Sequence, residues 1–175
     1  MAFLYKNWKN LKDITQLDKK LNKIIKNHTL SSIGVGLLPA PAVDFAGLLV
    51  IQSNMIKEIA TQYNIPFMKS AAKNALTSLI GGAFLANAMP ILSSMIKVIP
   101  VIGQTIGMVT MPVSCGASTY ATGKVFIRHF ESGGDLVTFD SDKMKAYYKE
   151  MLKEGKRVAQ KIFETEYKGE NNAGK

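Results

Sequence analysis

The chain has 175 residues, and little in it suits catalysis. Cys115 is its only cysteine, so no intramolecular disulfide can form. Cys115 sits in an uncharged run beside Gly116, where a small buried apolar side chain is the expected role. His28 and His129 are far apart, and no His, Cys and acid cluster has metal-ligand spacing. A Cys115–His129 nucleophile pair would have to be made by the fold, since along one helix fourteen residues separate the two by about 21 Å. The string GASTYATGKV has six residues between Gly116 and Gly123, and Val125 follows Lys124, so it is not a phosphate-binding loop. Gly34-Val35-Gly36 lacks the third glycine of a dinucleotide fingerprint. The expected protein is not an enzyme and has no cofactor or metal.

Arginine is scarce too. Arg128 and Arg157 are the only two among 22 basic residues, against 13 acids, for a net charge of +9. Nucleic-acid readers favour Arg for bidentate base contacts and aromatics for stacking. A lysine-dominated charge with few aromatics near it suits an anionic membrane surface better. No nucleic-acid partner is expected. Residues 1–28 carry +5 of the charge. That opening stretch has too many charges and no short apolar core for a secretory signal, so the chain is expected to stay cytoplasmic or at the inner membrane.

Charge is nearly absent from Asn74 to Gly123, where Lys97 alone interrupts about fifty residues. The flanks Asn74–Ile96 and Val98–Gly123 are each long enough for the roughly 20 apolar residues that a membrane-spanning helix needs. Prolines at 90, 100 and 112 segment the run, and Pro90 is expected to kink its helix. A second weakly charged run, Thr29–Ile56, holds only Asp44. Within it Pro39 and Pro41 predict a turn, with a new helix from about Pro41 to Tyr63 and Asp44 in its first turn. Asn64 ahead of Ile65-Pro66 ends that helix, and another starts near Pro66. Pro100, Gly103 and Gly107 echo Pro41, Asp44 and Gly47, which predicts a second corner and a helix to about Phe130. Gly82 with Ala86, and Gly103 with Gly107, have the spacing that lets helices approach closely in lipid.

The flanks are amphipathic. Trp8, Leu11, Ile14, Leu17, Leu21, Ile24 and Ile25 recur at helical spacing from Asn7 to His28. Lys6, Lys9, Lys12, Lys19, Lys20, Lys23 and Lys26 give this helix a basic side, expected to attract anionic lipid at about 1 kcal/mol per lysine. A solvated helix face is the alternative. After a turn at Ser132-Gly133-Gly134-Asp135, Asp140 or Ser141 caps a last helix with Met144, Tyr147, Met151, Val158 and Ile162 on its apolar side. The reading is all-α: two successive apolar helical hairpins with Pro/Gly corners between amphipathic terminal helices. It divides into a basic helix (1–28), a hairpin domain (29–134), a C-terminal helix (135–168) and a disordered tail (169–175).

The segment GLLPAPAVDFAGLLVIQSNMIKEIATQYNIPF, with the later IPVIGQTIG and TYATGKVFIRHFESGG, resembles the bacterial family called domain of unknown function 697. The match runs from about Ile33 to Gly134. Relatives often carry Tyr-Gly where this chain has Tyr63-Asn64, and Asn also tolerates the left-handed conformation. The resemblance implies a helical membrane-associated domain, often fused to or encoded near Era-like or dynamin-like GTPases. No GTPase domain lies in this sequence, so the chain is expected to act alone, to self-assemble as a homo-oligomer, or to recruit a separate GTPase. The expected role is anchor or scaffold at a bacterial inner membrane, with both termini cytoplasmic by the positive-inside bias. The alternatives are a soluble, cytoplasmic helical bundle used as an oligomeric interaction module, and a self-assembling pore or vesicle-coat-like protein.

Overall fold

The computed structural model describes residues 2–38, 41–80 and 103–168, with side chains at 13–38, 46–80 and 111–167. Every regular element among these residues is helical: α1 (Ala2–Val35), α2 (Pro41–Gln62), α3 (residues 69–80), α4 (Gly103–Glu131) and α5 (Ser141–Phe163), followed by a π-helical turn, Glu164–Lys168. Pro39, Gly82, Ala86, Pro90, Lys97, Pro100 and the tail 169–175 lie outside the described residues, as do the side chains of Lys6, Lys9, Lys12 and Asp44. Pro41 opens α2, which puts Asp44 in its first turn; Gly103 opens α4, with Gly107 one turn in.

Local chemistry sets the helix ends. Asn64 takes a left-handed φ of 55°, and the amides of Asn64 and Ile65 return to Thr61 O (3.2 Å) and Ala60 O (2.9 Å). This double closure caps α2 before Pro66. Gly133 repeats it after α4, with φ 82° and bonds from Gly133 N to Phe130 O and Gly134 N to His129 O. Asp140 caps α5 by accepting from the amides of Asp142 and Lys143. Asp135 organises the loop before it, accepting from Val137 N and Thr138 N. α1 runs seven residues beyond the predicted His28 because no Gly or Pro occurs before Gly34, and Thr29, Ser32 and Ile33 keep the buried spacing.

Helix α4 is the shared partner of α1, α2 and α5. It buries Ala121, Val125 and Phe126 against Leu21 and Ile25 of α1, Met55, Ile56 and Ile59 of α2, and Leu76 and Leu79 of α3. The predicted role of the uncharged run is corrected for its described part; residues 81–102 lie outside the described residues. Among the described residues no helix is long and apolar enough to cross a membrane. From residue 111 to Gly123 the run is the centre of a bundle, and it lacks charge because protein surrounds it. The Asn74–Ile96 flank is described only to residue 80, where Ala75, Leu76, Leu79 and Ile80 are buried in the same core.

Small residues do bring helices together, but the approaches found lie at positions the Gly-xxx-small reading did not select. A Cβ on Gly123 would stand 2.7 Å from Ile25 Cγ1, and one on Gly116 would stand 2.7 Å from Ile33 Cγ1. A Cβ on Gly155 of α5 would stand 2.7 Å from Ala117 O. Gly47 has a looser neighbour, Val35 Cγ1 at 3.2 Å. The buried face of α5 is accordingly Tyr148, Met151, Gly155, Ala159 and Phe163. The predicted Met144, Tyr147, Val158 and Ile162 flank this face, half-buried, because the small residues rather than the large ones mark the line of closest approach.

Two glycines should therefore fail for different reasons. Gly123→Leu overpacks the α1–α4 seam and should cost about 1–3 kcal/mol, and Ile25→Ala should recover part of that loss. Gly133→Ala meets open space but forces a left-handed alanine, at about 1 kcal/mol that Ile25→Ala does not recover. Thermal melts followed by circular dichroism separate the two.

Hydrogen bonds from the Thr138 and Lys143 backbones are the main reason the Asp135 and Asp140 carboxyls sit below the ordinary carboxylate range. Their stabilisation is complete above the ordinary value and is lost as pH falls through the lower folded values. The melting temperature should drop on acidification, and less steeply in Asp140→Asn.

Candidate functional site

Among the described residues the core holds a polar layer, built by four helices from side chains with no formal charge. Gln52 of α2 is fully buried, and its Nε2 donates to Ser118 Oγ (3.2 Å) and Thr119 Oγ1 (3.1 Å) of α4. Thr122 Oγ1 donates to Gln52 Oε1 at 3.4 Å. Thr119 and Ser32 of α1 share a 2.7 Å hydrogen bond, and Ser118 shares one of 3.0 Å with the Tyr148 hydroxyl of α5. Burial pushes the Tyr148 phenol up, which keeps it a neutral donor. Thr29, one turn before Ser32, has a buried hydroxyl without a hydrogen-bond partner.

The spacing behind this layer was present in the sequence as the Ser/Thr/Tyr-rich string after Ser114. Serine and threonine hydroxyls at 118, 119 and 122 occupy adjacent turns of α4, so one amide side chain reaches all three. Gln52 carried no signal of its own, since nothing about an isolated glutamine says that it will be buried. The chemistry is that of a satisfied network in a low-dielectric interior, which fixes how the helices register.

The candidate nucleophile and ligand residues are separated. Cys115 is buried near the start of the described α4 side chains, where Gly36 packs against it. His129 stands at the other end, its Nε2 2.8 Å from Asp135 O and its ring edge-on to Phe139. His28 Nδ1 is 2.9 Å from Ile24 O, and its Nε2 lies 3.6 Å from Glu58. Among the described residues no three His, Cys, Asp or Glu side chains converge on a metal-sized site. Two further tyrosines join elements: Tyr63, just past α2, donates to Glu131 at the end of α4 (3.1 Å), and Tyr120 donates to Glu154 midway along α4 and α5 (2.6 Å). Burial first, then the adjacent carboxylate, pushes both phenols up.

The basic surface on α1 is the second feature. Leu21, Ile25, Thr29, Ser32 and Ile33 define the buried side, while Lys19, Lys20, Lys23 and Lys26 are all exposed. At 100° per residue these four lysines fall on the outer side of α1, away from α2 and α4. The buried polar layer and the lysine face are therefore back to back on one helix.

The Gln52 layer predicts non-additive mutants. Gln52→Leu and Thr119→Val should each cost about 1–3 kcal/mol by stranding buried partners. The double variant should cost less than the sum, by about 0.5–3 kcal/mol, in urea unfolding.

The family model described as Domain of unknown function (DUF697) matches residues 4–157, which takes in α1 to most of α5. Magnetosome membrane protein 22 of Magnetospirillum gryphiswaldense is 37% identical over 146 residues, covering 83% of this chain and 75% of that protein. No solved structure matches.

Proposed function

The chain belongs to the DUF697 family, and we propose that it is a non-enzymatic anchor or scaffold that binds anionic membrane through the outer face of α1. The carrying observation is the exposed row Lys19, Lys20, Lys23 and Lys26 on a helix whose opposite side is held in the core. A rigid helix presents these lysines to a plane without any rearrangement of the bundle. The relative's name, a magnetosome membrane protein, supports a membrane location. The Gln52 layer supports a scaffold reading, since its hydroxyls and amide satisfy one another.

Contact through α1 makes the association peripheral, at the cytoplasmic face of the inner membrane, with the bundle standing off the lipid. The family resemblance supports a separate GTPase as the partner held there. Peripheral binding also accommodates the soluble-bundle reading, since the bundle would be complete before it meets lipid.

Co-sedimentation tests the proposal. The full chain should pellet with vesicles of equimolar phosphatidylglycerol and phosphatidylcholine, but not with phosphatidylcholine alone, and salt should weaken it. At about 1 kcal/mol per lysine, replacing Lys19, Lys20, Lys23 and Lys26 with Glu should lower affinity more than about a hundredfold. The melting temperature should hold, because these side chains are exposed. Equal binding by wild type and the quadruple variant would remove the lysine face from the account.

A further inference from the structure

A second basic row lies on α5. Lys145, Lys149, Lys153 and Lys156 follow one another at helical spacing over about 16 Å, and all four are exposed. Lys145 pairs with Asp142. Among the described residues Lys149, Lys153 and Lys156 take part in no ion pair or hydrogen bond. The nearby acids are engaged elsewhere. Glu154 accepts from Tyr120, Glu150 lines a hollow with Arg128 and Tyr147, and Glu164, just past α5, accepts from Gln160.

The α5 row and the α1 row leave the bundle in different directions. Lys124 of α4 reaches Asn22 of α1 at 3.3 Å and stands 5.6 Å over the Tyr120 ring, whose hydroxyl bonds Glu154 of α5. Arg128 of α4 stacks 4.3 Å from the centre of the Tyr147 ring of α5. These contacts mark the side on which α1 and α5 flank one strip of α4. On α1, Lys19, Lys23 and Lys26 lie within about 100° of Asn22, on the side away from buried Leu21 and Ile25. On α5 the flank beside the strip is Tyr147 and Glu154, whereas Lys145, Lys149 and Lys156 lie about 140–180° round from Glu154. The α5 row therefore points away from the α1 row, across the bundle. One flat bilayer cannot lie on both.

We propose that the α5 row binds a second anionic bilayer, so that one bundle bridges two membranes. Bridging rests on the reading of α1 as the face that meets the first bilayer. The row offers charge without an anchor, since none of the large exposed apolar side chains among the described residues lies on α5. A protein partner is held by desolvated aromatic, arginine or aliphatic anchors at the centre of its interface. Anionic head groups need only a surface of positive charge, and flexible lysine stems suit a fluid array of them. Helix α1 carries seven lysines from Lys6 to Lys26, so α5 is the weaker face and engages after α1 has taken hold. Contact through lysine tips leaves the α5 backbone inside the bundle, so bridging is read from the vesicles themselves.

Bead capture with the full chain tests it. Biotinylated vesicles of equimolar phosphatidylglycerol and phosphatidylcholine are fixed on streptavidin beads, and fluorescent vesicles of the same lipids are added with protein. Wild type should capture the fluorescent vesicles, salt should reverse the capture, and vesicles of phosphatidylcholine alone should stay free. The triple variant Lys149→Glu, Lys153→Glu, Lys156→Glu should sediment with vesicles much as wild type does, yet need about a hundredfold more protein for capture. Its melting temperature should hold, because all three side chains are exposed. Equal capture by wild type and the triple variant overturns the proposal. A wild type that sediments but captures nothing overturns bridging alone and leaves the α1 reading standing. A wild type that does not sediment overturns both. Binding of soluble polyglutamate through these three lysines, without vesicle capture, overturns bridging in favour of an acidic protein on α5.

Discussion

The close seam between α1 and α4 is the constraint on which the other contacts depend. Gly116 and Gly123 remove side chains where Ile33 and Ile25 press in, so the two backbones approach closely enough for Ser32 and Thr119 to bond. That bond fixes Thr119 beneath Gln52, and Gln52 ties in α2. On the other side of α4, Gly155 admits Ala117, which brings Tyr148 to Ser118. Apolar burial supplies the driving force for such a bundle, but it is indifferent to register. The glycine notches and the hydroxyl–amide layer select one register out of many.

The same seam explains the absence of charge in the last stretch of the uncharged run. Residues 115–123 of α4 are enclosed by α1, α2 and α5 and leave little solvated face for Lys or Glu, so they read like a membrane span, while Arg128 and Glu131 return where α4 meets water. Pro112, Ser118, Thr119 and Thr122 already distinguished it from a leucine-rich span, and each hydroxyl of that trio has a partner inside the protein. Hydropathy counts the neighbours that a residue can tolerate, and a packed interior and a lipid tail are alike by that count.

The punctuation of the fold was legible because it is local chemistry. Asn64, Gly133, Asp140 and Pro41 each end or start a helix through their own backbone preference or side-chain reach. What could not be read was which small residues meet. Gly116 and Gly123 stand seven residues apart, outside the four-residue spacing that singled out Gly103 and Gly107. The buried face of α5 was missed for the same reason, since Gly155 and Ala159 weigh little in an apolar stripe although they sit at its centre. For function, the lysine row was visible from spacing alone.

The account rests on α4 being protein core and α1 being the element that meets partners. Hydrogen exchange with and without phosphatidylglycerol vesicles measures both at once, amide by amide. Residues 111–131 should be strongly protected in buffer alone and unchanged by vesicles, while any change in protection falls on α1. Weak protection of 111–131 in buffer that rises sharply on adding vesicles would mean that α4 takes its place in the bilayer, and would contradict the account.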